Sequence, residues 1–369
     1  MEFVNQTKLQ AGWTLGFQPD GREMLVVAVK ATYSLPANGE APALAEEQVP
    51  LTGADEFTGK PGFSATLHET DYSHQKPLCD VLLNGSAYAP AGRPTKSVIV
   101  SLQVGEMQKA FKVVGDRIWA RRFVVFVKPT SPKPFIHLSI SYDRAFGGAD
   151  QMEGKPDKVK TYLKNPIGTG YYPLTKRKRL IGKPLPNTQE IGRPVKKVKG
   201  NFKPMAFGPI GRNFEERIPH AGTYSQKWLD TRSPFLPDDF DYRYFQAAPE
   251  DQQIPYLKGE EWIELKNLTP EGLTKFQLPK VSMPVLFIPH QGQDQLVEAM
   301  IDTLLIEPDQ KRFMLTWRAS LPLRRNMFEI RQVIVGEMPY EWYAQRRAEA
   351  KGKTYYRSIS EFIKAKRGS

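Results

Sequence analysis

Apolar and polar residues alternate with period two in several short runs of this chain, and Gly and Pro separate the runs. Val98, Val100, Leu102 and Val104 fall on one face of 97–104, and Ile136, Leu138 and Ile140 on one face of 135–142. Phe313, Leu315, Trp317 and Ala319 do the same in 312–319. Such alternation predicts β-strands with one buried face. Further strand-like runs occupy 13–17, 24–33, 110–114, 117–119, 123–127, 285–288, 299–306 and 328–335. Gln18-Pro19-Asp20-Gly21 lies between the first two and predicts a hairpin turn.

Between 143 and about 280 neither period holds, apart from a short run at 261–268. After 338 the character becomes helical, first at 339–351 and then at 358–366, where Phe362 and Ile363 supply apolar positions. These patterns predict a mainly β protein in which N- and C-terminal strands share one sandwich-like body. The expected division is an N-terminal β region 1–142, an irregular middle 143–280, C-terminal strands 281–336 that complete the β body, and a basic helical tail 337–369 with one or two short helices.

The middle is not a disordered linker. Within 202–256 there are eleven aromatic residues, about twice the 11% of the whole chain, and seven prolines. Disordered segments avoid so much aromatic surface, and routine connections inside a domain are far shorter. An ordered, irregular platform is therefore expected, its aromatics burying one another or a partner.

Composition is ordinary for a soluble globular protein, with 40% hydrophobic and 25% charged residues. No secretory signal is visible at the N-terminus, and no apolar run is long enough to span a bilayer. Cys79 is the single cysteine, so intrachain disulfides are impossible. A cytoplasmic location and no membrane partner are expected. The net charge of +12 is uneven, because 176–203 holds ten Lys/Arg against Glu190 alone. That insert has Pro184, Pro186 and Pro194 but no aromatic before Phe202, which favours a solvated or acidic-protein-binding loop over base stacking.

Catalytic patterns are sparse. His68 and His74 flank Glu69 and Asp71, but no HExxH spacing accompanies them, and locally bonded loop histidines are the preferred reading. His137 and His290 fall in or beside strands and read as structural. Cys79 sits in an apolar context that suits an inert buried thiol. No G-x-S-x-G elbow and no phosphate loop occurs, so no cofactor and no metal is expected. Asp238, Asp239, Asp241, Glu250 and Asp251 lie among aromatics, as the acid pair of a glycoside hydrolase does. The alternative for them is turn capping and pairing with Arg212, Arg217, Arg232 and Arg243.

A set of phrases is distinctive: Tyr142-Asp143-Arg144-Ala145-Phe146-Gly147-Gly148, Asn165-Pro166-Ile167-Gly168-Thr169-Gly170, Leu185-Pro186-Asn187, Ala206-Phe207-Gly208-Pro209-Ile210, Ala221-Gly222-Thr223-Tyr224, and the run from Asp241 through Gln246-Ala247-Ala248-Pro249 to Gln252. With Asn5-Gln6-Thr7 and Trp13, this order resembles a bacterial family whose genes sit beside type VI secretion spike (VgrG) and PAAR-tip effector genes. The resemblance runs from about residue 3 to about 335. It implies a cytoplasmic adaptor or chaperone, not an enzyme, that binds a PAAR-type effector and loads it onto VgrG. It carries over no catalytic residue. Interface hot spots favour Trp, Tyr and Arg, so the partner-contact candidates are Arg212, Trp228, Tyr242, Tyr244, Phe245 and Gln246, each with core packing as its alternative. A carbohydrate-active enzyme built on the five carboxylates, or a nucleic-acid binder built on 176–203, are the competing functions.

Overall fold

The computed structural model describes residues 1–122, 126–349 and 351–367. Residues 123–125 of the predicted 123–127 strand lie outside them. The protein is mainly β, as the period-two runs predict, and three sheets form its body. Six strands make the largest sheet, in the order Gln253–Ile254, Cys79–Leu83, Met300–Glu307, Arg312–Pro322, Glu23–Ser34, Gln10–Phe17. The predicted hairpin joins the last two through Gly21, whose φ of +86° demands a residue without a Cβ. Glu23–Ser34 pairs antiparallel with Arg312–Pro322 from Ser34 opposite Arg312 to Met24 opposite Pro322, so the two ends of the chain share one sheet.

A five-stranded antiparallel sheet runs in the order Thr188–Gln189, Met107–Val114, Ser97–Val104, Trp262–Lys266, Leu273–Gln277. A four-stranded sheet sets Glu2–Asn5 parallel to Ile330–Val335, with Pro284–Pro289 and Gln295–Glu298 beyond. One apolar core joins the three. Leu25, Val27 and Val29 of the largest sheet meet Val100, Leu102 and Phe111 of the second and Val285, Phe287 and Val333 of the third. Burying such side chains contributes about 25 cal/mol for each Å² removed from water.

Two elements differ from the sequence reading. Trp262–Lys266 falls on the short run at 261–268, but Leu273–Gln277 is a further regular strand inside the region read as irregular. The basic insert also contributes a strand, Thr188–Gln189, to an edge of the second sheet. Both are short, and Leu273–Gln277 pairs with its hairpin neighbour Trp262–Lys266, burying Thr274 and Phe276 while Leu273 stays exposed. The helices Tyr340–Glu349 and Ile359–Arg367 follow the last strand, where helical character begins in the sequence. Among the described residues no helix is long and apolar enough to cross a membrane.

The largest sheet is covered on both faces, and its second face is charged. Every residue from Met24 to Tyr33 is buried. Lys30 pairs with Asp71 at 2.6 Å, Lys76 with Asp80 at 2.7 Å, and Arg318 with Asp302, all with nearly inaccessible side chains. Asp80 is the hub. Besides Lys76 it accepts hydrogen bonds from Gln246 Nε2 (2.7 Å) and the backbone N–H groups of Ala247 (2.8 Å) and Ala248 (3.0 Å). Burial alone would lower Lys76, but Asp80 and Asp302 outweigh it and hold the ammonium charged.

Removing one partner of a buried pair leaves an uncompensated charge. Asp80→Ala is expected to cost roughly 3–5 kcal/mol. Denaturant unfolding would measure it, and adding Lys76→Met should recover part of the loss. An unchanged midpoint would show that the pair is not the anchor described.

Candidate functional site

The middle region is held to the body by its own distinctive phrases. Phe146 and Gly147 pair parallel with Thr169 and Gly170. The Asn165 amide donates to the carbonyls of Tyr142 (2.8 Å) and Phe146 (3.2 Å). A Cβ on Gly147, whose φ is +157°, would sit 2.2 Å from the Asn165 carbonyl oxygen, so no side chain fits there. Asn187 ties this clasp to the second sheet, donating to the Val114 carbonyl (3.1 Å) and accepting from Arg144 (3.2 Å). Gln252 donates to the carbonyls of Val81 (2.6 Å) and Phe207 (2.8 Å) and accepts from Lys109 (2.6 Å).

The platform 202–256 is therefore a docked irregular layer. Arg217 is fully buried, donating to the carbonyls of Ile210 (2.9 Å) and Tyr244 (2.6 Å) and pairing with Glu69 at 2.7 Å. Arg212 pairs with Asp55 at 3.0 Å and lies 5.8 Å from the centre of the Tyr244 ring. Tyr242, Tyr244 and Phe245 cluster around buried Phe240 at ring separations of 5.8, 5.9 and 5.6 Å, and Phe245 also packs on His74. Three turns of sequence thus become one aromatic knot.

That geometry separates the contact candidates. Gln246 is 1% exposed with its amide spent on Asp80 and on the Leu78 N–H, so it anchors the layer and presents nothing to a partner. Arg212, Tyr242, Tyr244 and Phe245 are half-buried in the knot. Trp228 is half-buried too, donating to the Phe235 carbonyl (2.9 Å) and meeting Tyr224 edge-on at 4.7 Å. It sits on the short helix Gln226–Thr231, capped by Ser225. Beside it Tyr224 and Leu229 are 57% and 55% exposed, and Ile218, on the preceding turn Ile218–Ala221, is 50% exposed. These three were not among the candidates. The available signal was apolar residues set among polar ones, Leu229 between Lys227 and Asp230, in a segment too short to bury them.

The carboxylates are mostly engaged. Asp239 accepts from Thr223 N (2.9 Å) and Oγ1 (2.7 Å), and these bonds hold its carboxyl below the usual range. Asp241 is likewise lowered by Arg243. Asp238 pairs with Arg232 at 2.9 Å. Burial would raise Asp251, but Lys109 at 3.0 Å and Lys203 at 2.8 Å keep it low. A general acid needs the opposite shift. Glu216 does have it, raised by burial. It lines a cavity of about 410 Å³ with Lys109, which burial pushes down to about 8 against the opposing pull of Asp251.

His68 and His74 do not converge. His68 bridges Glu56 (2.7 Å) and Glu307 (2.6 Å), and Arg312 braces Glu307 at 2.7 Å. Burial would lower His68, but hydrogen bonds to both carboxylates raise it overall. His74 is lowered by burial among aromatics. Cys79 is fully buried, and burial pushes its thiol well up. Among the described residues no group of three His, Cys, Asp or Glu side chains is placed to hold a metal ion.

Residues 20–318 match the family described as "Uncharacterized protein conserved in bacteria (DUF2169)". That span is most of the chain, and the protein belongs to this family. No curated protein and no solved structure matches it.

Gln246→Ala should destabilise by roughly 1–3 kcal/mol, because Asp80 loses a buried donor. Leu229→Ser should stay within about 0.5 kcal/mol. Thermal unfolding of the two variants separates the holding residue from the presented one. The His68 clamp has a pH signature as well. His68 is raised, so its contribution is complete below about pH 6.5 and is lost as pH rises through the folded value. Burial would raise Glu307, but His68 and Arg312 lower it overall, so its contribution is complete above about pH 4.3 and lost in acid. Between about pH 5.5 and about 8.5, urea midpoints should fall further for the natural protein than for His68→Gln. Equal falls would remove the clamp from the stability of the fold.

Proposed function

We propose that this chain is a non-enzymatic cytoplasmic adaptor, which binds a PAAR-type effector and delivers it to the VgrG spike of a type VI secretion machine. The resemblance of its phrases supports the identity of the partners. The observation that carries the binding role is the exposed pair Tyr224 and Leu229 beside Trp228, with Ile218 also exposed in the same segment, on a layer anchored at Asp80. An aromatic anchor on a rigid support is what an interface hot spot needs, since little ordering cost falls on binding.

A sheet edge supports the same reading. Gln295–Glu298 ends the four-stranded sheet with Leu296 exposed, whereas the end of the five-stranded sheet is closed at Lys275, whose backbone N–H and carbonyl are taken by Asn38 and Gly39. A client with unpaired strands gains hydrogen bonds at such an open edge. The carbohydrate-active alternative is less favoured, because four of its five carboxylates are engaged by local partners.

Co-expression with the effector encoded beside it, followed by co-purification, tests the proposal. The pair should purify together, and deletion of this chain should stop effector secretion. Tyr224→Ala combined with Leu229→Ser should weaken capture about tenfold or more, with the melting temperature unchanged. Secretion that continues without the protein would sink the adaptor role.

A further inference from the structure

The whole surplus charge of the chain is gathered in one lobe. Residues 117–122 with 126–130, 149–161 and 171–199 contain sixteen Lys/Arg against four Asp/Glu, a difference equal to the net +12 of the full sequence. The structure brings the three segments together. Trp119 N donates to the Lys183 carbonyl (2.9 Å), and Gly182 N donates to the Trp119 carbonyl (2.8 Å). Asp150 holds the Leu174 and Thr175 N–H groups at 2.6 and 2.8 Å, and Arg179 pairs with Glu153. Trp119, Leu180 and Leu185 form a small core beneath, with Tyr172 and Val198 packed on it. The insert is thus pinned, not loose.

Its cations are mostly uncommitted. Lys176, Arg177, Lys178, Lys196, Lys197 and Lys199 are exposed and have no carboxylate partner among the described residues. A groove of about 800 Å³ opens between the segments, lined by Lys155, Lys176, Arg179 and Lys183, with Asp150 and Glu153 already engaged. Holding like charges together opposes the folded state by self-repulsion. The arrangement therefore points to an anionic occupant.

Two kinds of polyanion fit the charge, and the apolar side chains choose between them. Ile118, Ile181, Ile191 and Val159 are exposed among the cations, while Trp119 is buried, Tyr172 lies half-buried under Lys183, and Phe126 is exposed with Lys128 5.9 Å from its ring centre. Nucleic acid offers phosphates and bases, and single strands bind chiefly by stacking successive bases on open aromatics, of which these segments offer Phe126 alone among the described residues. Exposed aliphatic side chains gain from a surface that carries apolar groups between its carboxylates. We propose that this lobe is a docking surface for an acidic, apolar-studded protein segment, independent of the partner the 218–235 patch takes.

Fluorescence anisotropy on the purified full-length protein tests it with three labelled probes of equal formal charge: a Glu-rich peptide with interspersed Leu, polyglutamate, and duplex DNA. The Leu-containing peptide should bind most tightly, and its affinity should fall with salt. Reversal of the cluster (K176E, R177E, K178E and R179E together) should weaken that peptide about tenfold or more. Ile118→Ser with Ile181→Ser should abolish the preference over polyglutamate while leaving the salt dependence in place. Tighter binding of duplex DNA, no binding of the peptide at about 50 mM salt, or indifference to the charge reversal in a protein of unchanged melting temperature would each overturn the proposal. Capture of the effector that survives the charge reversal would leave the adaptor reading standing without this surface.

Discussion

A carboxylate with no access to water lies in the largest sheet, and the middle of the protein is organised around satisfying it. Desolvating an isolated charge costs far more than a domain's net stability, so Asp80 must be both paired and hydrogen-bonded. Lys76 supplies the charge, and Gln246, Ala247 and Ala248 supply three further donors. All three lie more than 160 positions away in sequence. A long segment with little regular hydrogen bonding of its own is thereby fixed against the sheet at one point. Gln252, four residues on from Ala248, repeats the device on neighbouring carbonyls.

This arrangement explains how a polar sheet face can be interior. Lys30, Asp71, Asp302 and Arg318 occupy the same face and are likewise matched. Replacing such pairs with well-packed apolar residues is often neutral or stabilising in proteins, so their presence is weak support for stability as such. Their effect here is registry. A hydrophobic face accepts a covering layer in many positions, whereas paired charges and directed donors accept one. In the proposed role the platform benefits from that single position, because its contact geometry is then set before a partner arrives.

The β body was legible in the sequence where a strand sets apolar residues on the face toward the shared core and other residues on its second face, as Val98, Val100, Leu102 and Val104 do in Ser97–Val104 and Phe313, Leu315, Trp317 and Ala319 do in Arg312–Pro322. Glu23–Ser34 was legible instead as an apolar run, since its residues from Met24 to Tyr33 are buried on both faces. The pairing of Cys79–Leu83 with Met300–Glu307 was not legible, since its partner is more than 200 residues distant and the strand is buried on both faces. The distinctive phrases were legible as a set, but their role was not. Gln246 looked like a contact residue because composition cannot tell a donor aimed at a buried carboxylate from one aimed outward. His68 is similar. Its two carboxylate partners lie 12 and 239 positions away, so no local spacing announces the bridge.

The two exposed surfaces differ in charge, and the difference bears on how each would receive a partner. Exposed Ile218, Tyr224 and Leu229 stand on a segment tied to the body through Arg232, which donates to the Pro19 carbonyl, and Phe235, which packs edge-on against Phe17 at 5.4 Å. The uncommitted cations stand on the insert, tied through Leu180, Leu185 and Asn187. Exposed charges act over about a Debye length, near 8 Å at physiological salt, and chiefly raise the rate of encounter. Apolar anchors act only in contact and chiefly slow release. The basic lobe sets exposed Ile118, Ile181 and Ile191 among its cations, so in its proposed role it both draws an acidic segment and selects one with apolar side chains, whereas the 218–235 patch offers contact without that surplus of charge.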